Sequence, residues 1–552
     1  MKKYYVFISV ILFLACNKSQ SPDSIPSIPS AFQANSVKID DKASNSLPFV
    51  DVAFKPQIKV AFSAPVNQKS VDGNISMQGG NSPVPYMVSY ENNDSIIVIQ
   101  PSILLQPLTK YSLTVSGALQ SKEKTLLSPA VSISFNTSID STDKFSRIAD
   151  DALLELIQKQ TFRYFNDFAH PVSGMARERN ASGDVVTTGG TGFGVMSIIA
   201  AANRNFISRN DGLNHIQKIV TFLSTKCTAY HGAFAHWVNG STGTTVPFSA
   251  NDNGADLVET SYLMQGLLCA RQYFRNNTPE EIKLRDDINT LWDAVEWNWF
   301  RQNNQDVLYW HWSPDKQWLM NVQIKGWNEA LIVYALAASS NTNAFDADVY
   351  NAGWASKGAM LNGNTYYGIK LPLGPTLGGP LFFAHYSFLG LNPNGLSDQY
   401  GNYFTQNVAH SKINYSYCVA NPKGFYGYSD SCWGLTASDE QGGYSAHEPN
   451  NDNGTISPTA AISSLPYTPV ESMKALKFFY YTLGDKLWKE YGFIDAFNLQ
   501  KLWFADSFLA IDQGPMIVMI ENYRSKLLWN LFMSCPEIKR GLKSLQFQGP
   551  SL

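Results

Sequence analysis

The stretch DALLELIQKQTFRYFNDFA, residues 151–169, decides the fold, because Leu154, Ile157, Phe162, Phe165 and Phe168 recur three to five positions apart. On a helix these side chains form one apolar stripe, the mark of an element that packs one face inward. The pattern continues downstream. TPEEIKLRDDINTLWDAVEWNWF, residues 278–300, opens with Thr278 as N-cap, Pro279 in the first turn and Glu281 three residues after the cap, which is how the free amides of a helix start are satisfied. Comparable helical patterns begin near residues 190, 209, 255, 327, 398, 469 and 514. With shorter pieces, about ten to twelve helices alternate with long loops rich in Gly, Asn and aromatics. A single core rarely exceeds ~250–300 residues, yet residues 145–552 contain no linker and no change of composition. Two concentric rings of helices resolve this, with inner helices packed on outer ones and the loops at one rim forming a cleft. The expected C-terminal domain is therefore an all-α (α/α) toroid; a TIM barrel or Rossmann fold is not expected.

Upstream of residue 145 the period falls to two. Ile58, Val60 and Phe62 alternate with polar or small residues, as do Tyr111, Leu113 and Val115, and Val131, Ile133 and Phe135, each run reading as a half-buried strand. In SYENNDSIIVIQP, residues 89–101, Asn92, Asn93 and Asp94 mark a turn between two strands. About seven short strands suggest a β-sandwich, and LQPLTKYSLTVSG, residues 105–117, resembles bacterial Ig-like domains of secreted enzymes, with Tyr111 as a candidate tyrosine corner. No cluster of acids or histidines lies there, so residues 36–140 read as a spacer or docking module.

The N-terminus reads as an export signal. Lys2 and Lys3 precede the apolar run of residues 4–15, too short to span a bilayer but of signal-peptide length. Leu14-Ala15-Cys16 resembles the end of a bacterial lipobox, with Cys16 as the lipidated residue; Phe13 departs from the aliphatic residue usual there. The Ser- and Pro-rich residues 16–35 read as a tether. The expectation is an exported, lipid-anchored monomer facing the periplasm or the cell surface. Five other cysteines, Cys227, Cys269, Cys418, Cys432 and Cys535, show no metal-binding spacing, and their odd number argues against a disulfide framework.

Composition narrows the ligand. Net charge is −3, which offers nucleic acid no electrostatic attraction. Charged residues are 16% of the 552, while 13 Trp, 27 Tyr and 32 Phe bring aromatics to 13%. Neutral polar groups beside aromatic faces suit a sugar, although any single aromatic residue serves a core equally well. Nucleotide, zinc-protease and nucleophile-elbow motifs are missing, so no cofactor or metal is expected and carboxylates become the acid and base candidates.

Two constellations carry them. In NDNGADLVETSYLMQG, residues 251–266, Asp252, Asp256 and Glu259 are spaced i, i+4 and i+7, a spacing that puts all three on one face if Asp252 is helical. Mutual repulsion would then raise the pKa of at least one, although acids also favour helix starts for structural reasons. In KGWNEALIVYALA, residues 325–337, Lys325, Trp327 and Glu329 sit where a loop enters an apolar helix; a carboxyl against an aromatic wall keeps its proton near neutral pH. Further polar and aromatic candidates for a substrate groove are His385 and Tyr386, Trp433, Asp439 and Tyr444, and Asp512.

Taken together, TTGGTGFGVMSIIAAANRNFISR (187–209), NDNGADLVETSYLMQGLLCARQYF (251–274), KGWNEALIVYAL (325–336), CWGLTASD (432–439), DNGTISPTAA (452–461), SLPYTP (464–469) and LAIDQGPMIVMIENYRSKLLW (509–529) resemble the bacterial glucoamylase-like domain, specifically glycoside hydrolase family 144. The resemblance spans residues 147–548. It implies an (α/α)6 fold and inverting, commonly endo-acting hydrolysis of β-1,2-glucan to sophoro-oligosaccharides, with Asp252, Asp256, Glu259 and Glu329 facing the cleft. It does not say which is acid and which is base. Exo-release of sophorose, transglycosylation, a polysaccharide lyase and a non-catalytic glycan-binding lipoprotein remain the competing readings.

Overall fold

The computed structural model describes residues 31–43 and 48–552, so the signal segment, Cys16 and most of the tether lie outside the described residues. The chain divides into two compact units, one reaching Phe135 apart from Pro107–Thr109, the other comprising Pro107–Thr109 and Asn136–Leu552.

The first unit is built from β1 (Ala34–Ile39), β2 (Phe49–Val52), β3 (Ile58–Phe62), β4 (Ile75–Gly79), β5 (Ser82–Pro83), β6 (Tyr86–Glu91), β7 (Ile96–Pro101), β8 (Lys110–Val115) and β9 (Val131–Thr137). They form two sheets, ordered β1-β3-β7-β6 and β2-β9-β8-β4-β5. Alternate residues turn inward, so Ile58, Val60 and Phe62 meet Leu113, Val115 and Phe135 in one core. The β6–β7 turn is made by Asn92, Asn93 and Asp94 at φ of 52°, 53° and 68°, left-handed conformations that Asn and Asp tolerate better than most residues. The Tyr111 hydroxyl accepts from the Gln106 amide at 2.9 Å, the contact expected of a tyrosine corner. Phe32, read above as tether, is instead buried in this core and stacks on Phe62; alternation alone gives no signal for one residue ahead of the first strand.

The principal helices of the second unit are α1 (Asp150–Asn166), α2 (Thr188–Asn203), α3 (Arg209–Thr225), α4 (Leu257–Tyr273), α5 (Pro279–Asp293), α6 (Leu331–Ser339), α7 (Tyr403–Ala420), α8 (Pro458–Ser463), α9 (Pro469–Lys477), α10 (Ala510–Ser525), α11 (Leu527–Met533) and α12 (Pro536–Ser544). α2, α4, α6, α8 and α10 are buried on nearly every side, whereas α1, α3, α5 and α12 bury one stripe. The unit is not purely helical, because short antiparallel ribbons tie its loops together. One pairs Val185–Thr187 with Trp237–Asn239, and another pairs Ala437–Glu440 with Gly443–Ala446. All five described cysteines are free thiols. Among the described residues no helix is long and apolar enough to cross a membrane.

The α2–α4 contact fixes the geometry that follows. A Cβ on Gly192 would lie 2.1 Å from the Tyr262 carbonyl oxygen, and one on Gly266 would lie 2.2 Å from that of Gly192. Only glycine lets two backbones approach so closely. The approach brings the N-termini of both helices together, and the acids lie there.

Candidate active site

Asp256 starts α4. Its Oδ1 accepts from the amides of Val258 and Glu259 at 3.0 and 2.9 Å, an N-cap, and its Oδ2 faces His236 Nδ1 at 3.1 Å. Burial pushes this carboxyl up, but the His236 hydrogen bond and the charges of His311 and His236 outweigh it, so Asp256 is held below the usual range. His236 responds in the opposite sense. Burial alone would lower it, yet Glu259, Asp256 and Asp252 raise it to about 9, so at neutral pH it is an imidazolium.

Glu259, one turn into α4, reaches across to α2. Its Oε2 accepts from the Gly189 amide at 2.7 Å and the Thr187 hydroxyl at 3.3 Å. Gly189 permits this because a Cβ there would stand 2.6 Å from that oxygen. Burial first, and then the Asp256 charge, raise the Glu259 pKa against the opposing His236. Asp252 lies in the turn ahead of the helix, 3.5 Å from His311 Nε2, and burial with the Asp256 charge lifts it to about 7.

The three acids therefore meet, but not on one helical face as the spacing suggested. Only Glu259 is helical; Asp256 is a cap paired in a two-residue ribbon with His311, and Asp252 belongs to a turn. Cap geometry and the ribbon bring them together. His236, Asp252 and Asp256 each bring a ligand atom within 4.8 Å of the others, so these three are the residues that could hold a metal ion.

Glu329 precedes α6 and is half-buried. Ser387 Oγ donates to its carbonyl and accepts from the Ile332 amide at 2.9 Å, which clamps the junction. Burial, then the charges of Asp256 and Glu259, push its carboxyl up to about 7 despite a backbone hydrogen bond.

A second carboxylate group stands beside the same cavity. Arg179 Nη1 donates to both Asp439 oxygens at 3.1 Å, Ser507 Oγ donates to Asp439 Oδ2 at 2.5 Å, and the Asp439 amide donates to Asp495 at 2.7 Å. Asp495 and Asp512 are buried against each other. Burial and mutual repulsion raise both, so the pair retains a proton at neutral pH. The cavity, about 350 Å³, is lined by Glu259, His236, Arg179, Tyr386 and Tyr444 with the aromatic rings of Trp237, Phe248 and Phe382.

Several sequence candidates fall elsewhere. Trp433 is fully buried with its indole Nε1 on the Glu471 carbonyl at 3.3 Å. Trp327 is buried between Phe388 and Tyr403, and His385 is buried on Ser464 at 3.0 Å with a pKa lowered to about 3 by burial. These three are core residues, because a loop-like sequence context does not reveal which side chains turn inward. Lys325 is exposed, on Gln323 at 2.9 Å. Sequence reasoning missed His236, His311, Arg179 and Asp495, each of which lacks a local motif.

The comparisons agree with this architecture. The family described as "Putative glucoamylase" matches residues 321–536, and the bacterial Ig-like domain matches residues 31–137. An exo β-1,2-glucooligosaccharide sophorohydrolase acting at the non-reducing end, from Parabacteroides distasonis, is 43% identical over 517 residues, covering 88% of this chain and 71% of the relative. The solved endo-β-1,2-glucanase of Chitinophaga pinensis, in complex with sophorotriose and glucose, is 50% identical with a TM-score of 0.72, covering 74% of this chain and 100% of that one. A Bacteroides uniformis protein carrying the same description as the family is 56% identical with a TM-score of 0.73, over 74% of this chain and 100% of its own. The chain belongs to this glucoamylase-like family, with an Ig-like domain at its N-terminus.

Proposed function

We propose that the protein is a glycoside hydrolase of β-1,2-glucan, with Glu329 as the proton donor to the glycosidic oxygen. The observation that carries this reading is the placement of Glu329 at the junction before α6, clamped by Ser387, where burial and the charges of Asp256 and Glu259 raise its carboxyl to about 7, as suits a general acid at neutral pH. Relatives that cleave β-1,2-glucan and its oligosaccharides at 43% and 50% identity support the substrate. Asp256 has one oxygen on two amides and the other on His236, so its part is to fix His236 and the helix start. Asp252, with a pKa of about 7, takes the proton of the attacking water as Glu329 gives its own to the leaving oxygen, and Glu259 holds that water, in keeping with an inverting reaction in which the water lies between separated carboxyls.

Tyr386 and Tyr444 line the cavity and serve as sugar-facing surfaces, with Asp439 and Asp512 directing hydroxyls. Closure of the alternating buried and amphipathic helices into an (α/α)6 ring belongs to the same proposal, as does lipid anchoring at Cys16. Endo action is the preferred mode, and exo-release of sophorose is the alternative, favoured by the sophorohydrolase relative. A time course on linear β-1,2-glucan tests this: a ladder of sophoro-oligosaccharides is expected from endo action and sophorose alone from exo action. Starch, cellulose and laminarin should remain uncut. Glu329→Gln should lower kcat by at least ~10² with the fold intact. Faster reducing-end release from starch than from β-1,2-glucan overturns the assignment.

A further inference from the structure

Phe248 leaves 49% of its surface exposed, and it lines the cavity with Trp237 and His236. Single exposed apolar side chains are ordinary, but this one is held in place. One face of its ring lies on the His236 imidazole, with centroids 4.3 Å apart and planes at 28°, and its flank meets Trp237 at 4.8 Å. Trp237 is mounted on a ribbon, paired with Thr187 on one side and Val246 on the other. The backbone supplies a further constraint. The Phe248 amide donates to the Asp252 carbonyl at 2.9 Å, and the Asp252 amide donates to the Ser249 carbonyl at 3.1 Å. Phe248 and Asp252 are therefore the two ends of one closed turn.

A β-linked glucosyl ring carries its hydroxyls around its equator and its hydrogens on its faces, so it presents an apolar face to an aromatic ring while its polar edge seeks carboxylates. Both requirements are met within this turn. We infer that Phe248, flanked by Trp237, is the stacking platform for the glucosyl unit bound beside the acid cluster, and that its turn holds Asp252 in register with that unit. The inference rests on the glucan reading above and adds a binding residue and a positioning element to it.

Sophorotriose binding, measured by isothermal titration calorimetry in a Glu329→Gln background that slows turnover, tests this directly. Phe248→Ala should raise Kd about tenfold, the loss expected when one aromatic face no longer covers the sugar. In the otherwise native enzyme it should raise KM and also lower kcat, since Asp252 loses its register, and it should change the pH profile. Phe248→Tyr should restore both. Thermal stability should hold, because the ring is half exposed. A Phe248→Ala enzyme that binds and cleaves sophorotriose like its parent overturns the platform. A rise in KM with kcat and pH profile unchanged overturns the link to Asp252. A parent enzyme that ignores sophorotriose but cleaves maltotriose overturns the linkage reading instead, and the same variants then decide the platform on maltotriose.

Discussion

The cavity is flanked by two groups of buried carboxylates that are neutralised in different ways. Asp252, Asp256 and Glu259 face His236 and His311, imidazoles that carry charge only when protonated; the acids raise His236 and burial lowers His311. In the second group Asp439 pairs with the permanent charge of Arg179, while Asp495 and Asp512 are buried against each other and raised by burial and mutual repulsion. The imidazolium of His236 can lose its charge, at about pH 9, whereas the guanidinium of Arg179 cannot, so only the first group has a counter-charge that depends on pH.

The sharpest break in this comparison comes from Arg179→Met. Removing the guanidinium leaves Asp439 as a poorly solvated charge without its pair, so unfolding free energy should fall by about 2–3 kcal/mol, and by a similar amount at pH 6 and pH 9. Urea denaturation at the two pH values measures this. A loss confined to one pH would make the two groups alike.

His236→Asn should have a smaller, pH-dependent effect. The folded-state pKa of His236 is raised from 6.5 to about 9, so its stabilising contribution is fully present below pH 6.5 and is lost as pH rises through about 9. The variant should be less stable than the parent by about 1–2 kcal/mol at pH 6, with the gap closing above pH 9. A gap that stays constant with pH would mean that His236 acts through packing alone.

The smallest effect is expected from Glu329→Gln, and it has the opposite sign. Raising this carboxyl from 4.5 to about 7 means the folded state binds its proton more tightly than the unfolded chain does. Its contribution is therefore favourable at low pH and is lost between about pH 4.5 and 7. Above that window the ionised, half-buried carboxylate is a burden, so the amide should raise the melting temperature by about 1–3 °C at pH 8 and not at pH 4. Calorimetry at the two pH values checks this, and an unchanged or lower melting temperature at pH 8 would remove the case for a destabilised acid.

Much of the molecule was legible in advance because the signals are local. Thr278 does cap α5 and its hydroxyl accepts from the Glu281 amide at 3.3 Å, as the sequence pattern requires. The helical starts near 209 and 469 fall on α3 and α9. Asp252 and Asp256 meet around His236 with Glu259 one turn on, and not on one helical face: Asp256 is a cap, a role that Asp favours. Trp433, Trp327 and His385 were misread because a Gly- and Asn-rich context describes a loop without saying that its aromatic residues turn inward. His236 and Arg179 carried no readable signal, since each finds its partner only through packing of distant segments.

The sequence by itself determined the division between period-two and helical segments, the helix starts, and the supply of acids and aromatics, because alternation, amphipathic stripes and caps act over a few residues. Tertiary structure alone decided which charges meet. Gly192 and Gly266 let α2 and α4 close to backbone contact, which aims Glu259 at the Gly189 amide. The ribbons then deliver His236 and His311 to Asp256. Those distances set the electrostatics, and charge interactions fall off with separation in space, not in sequence.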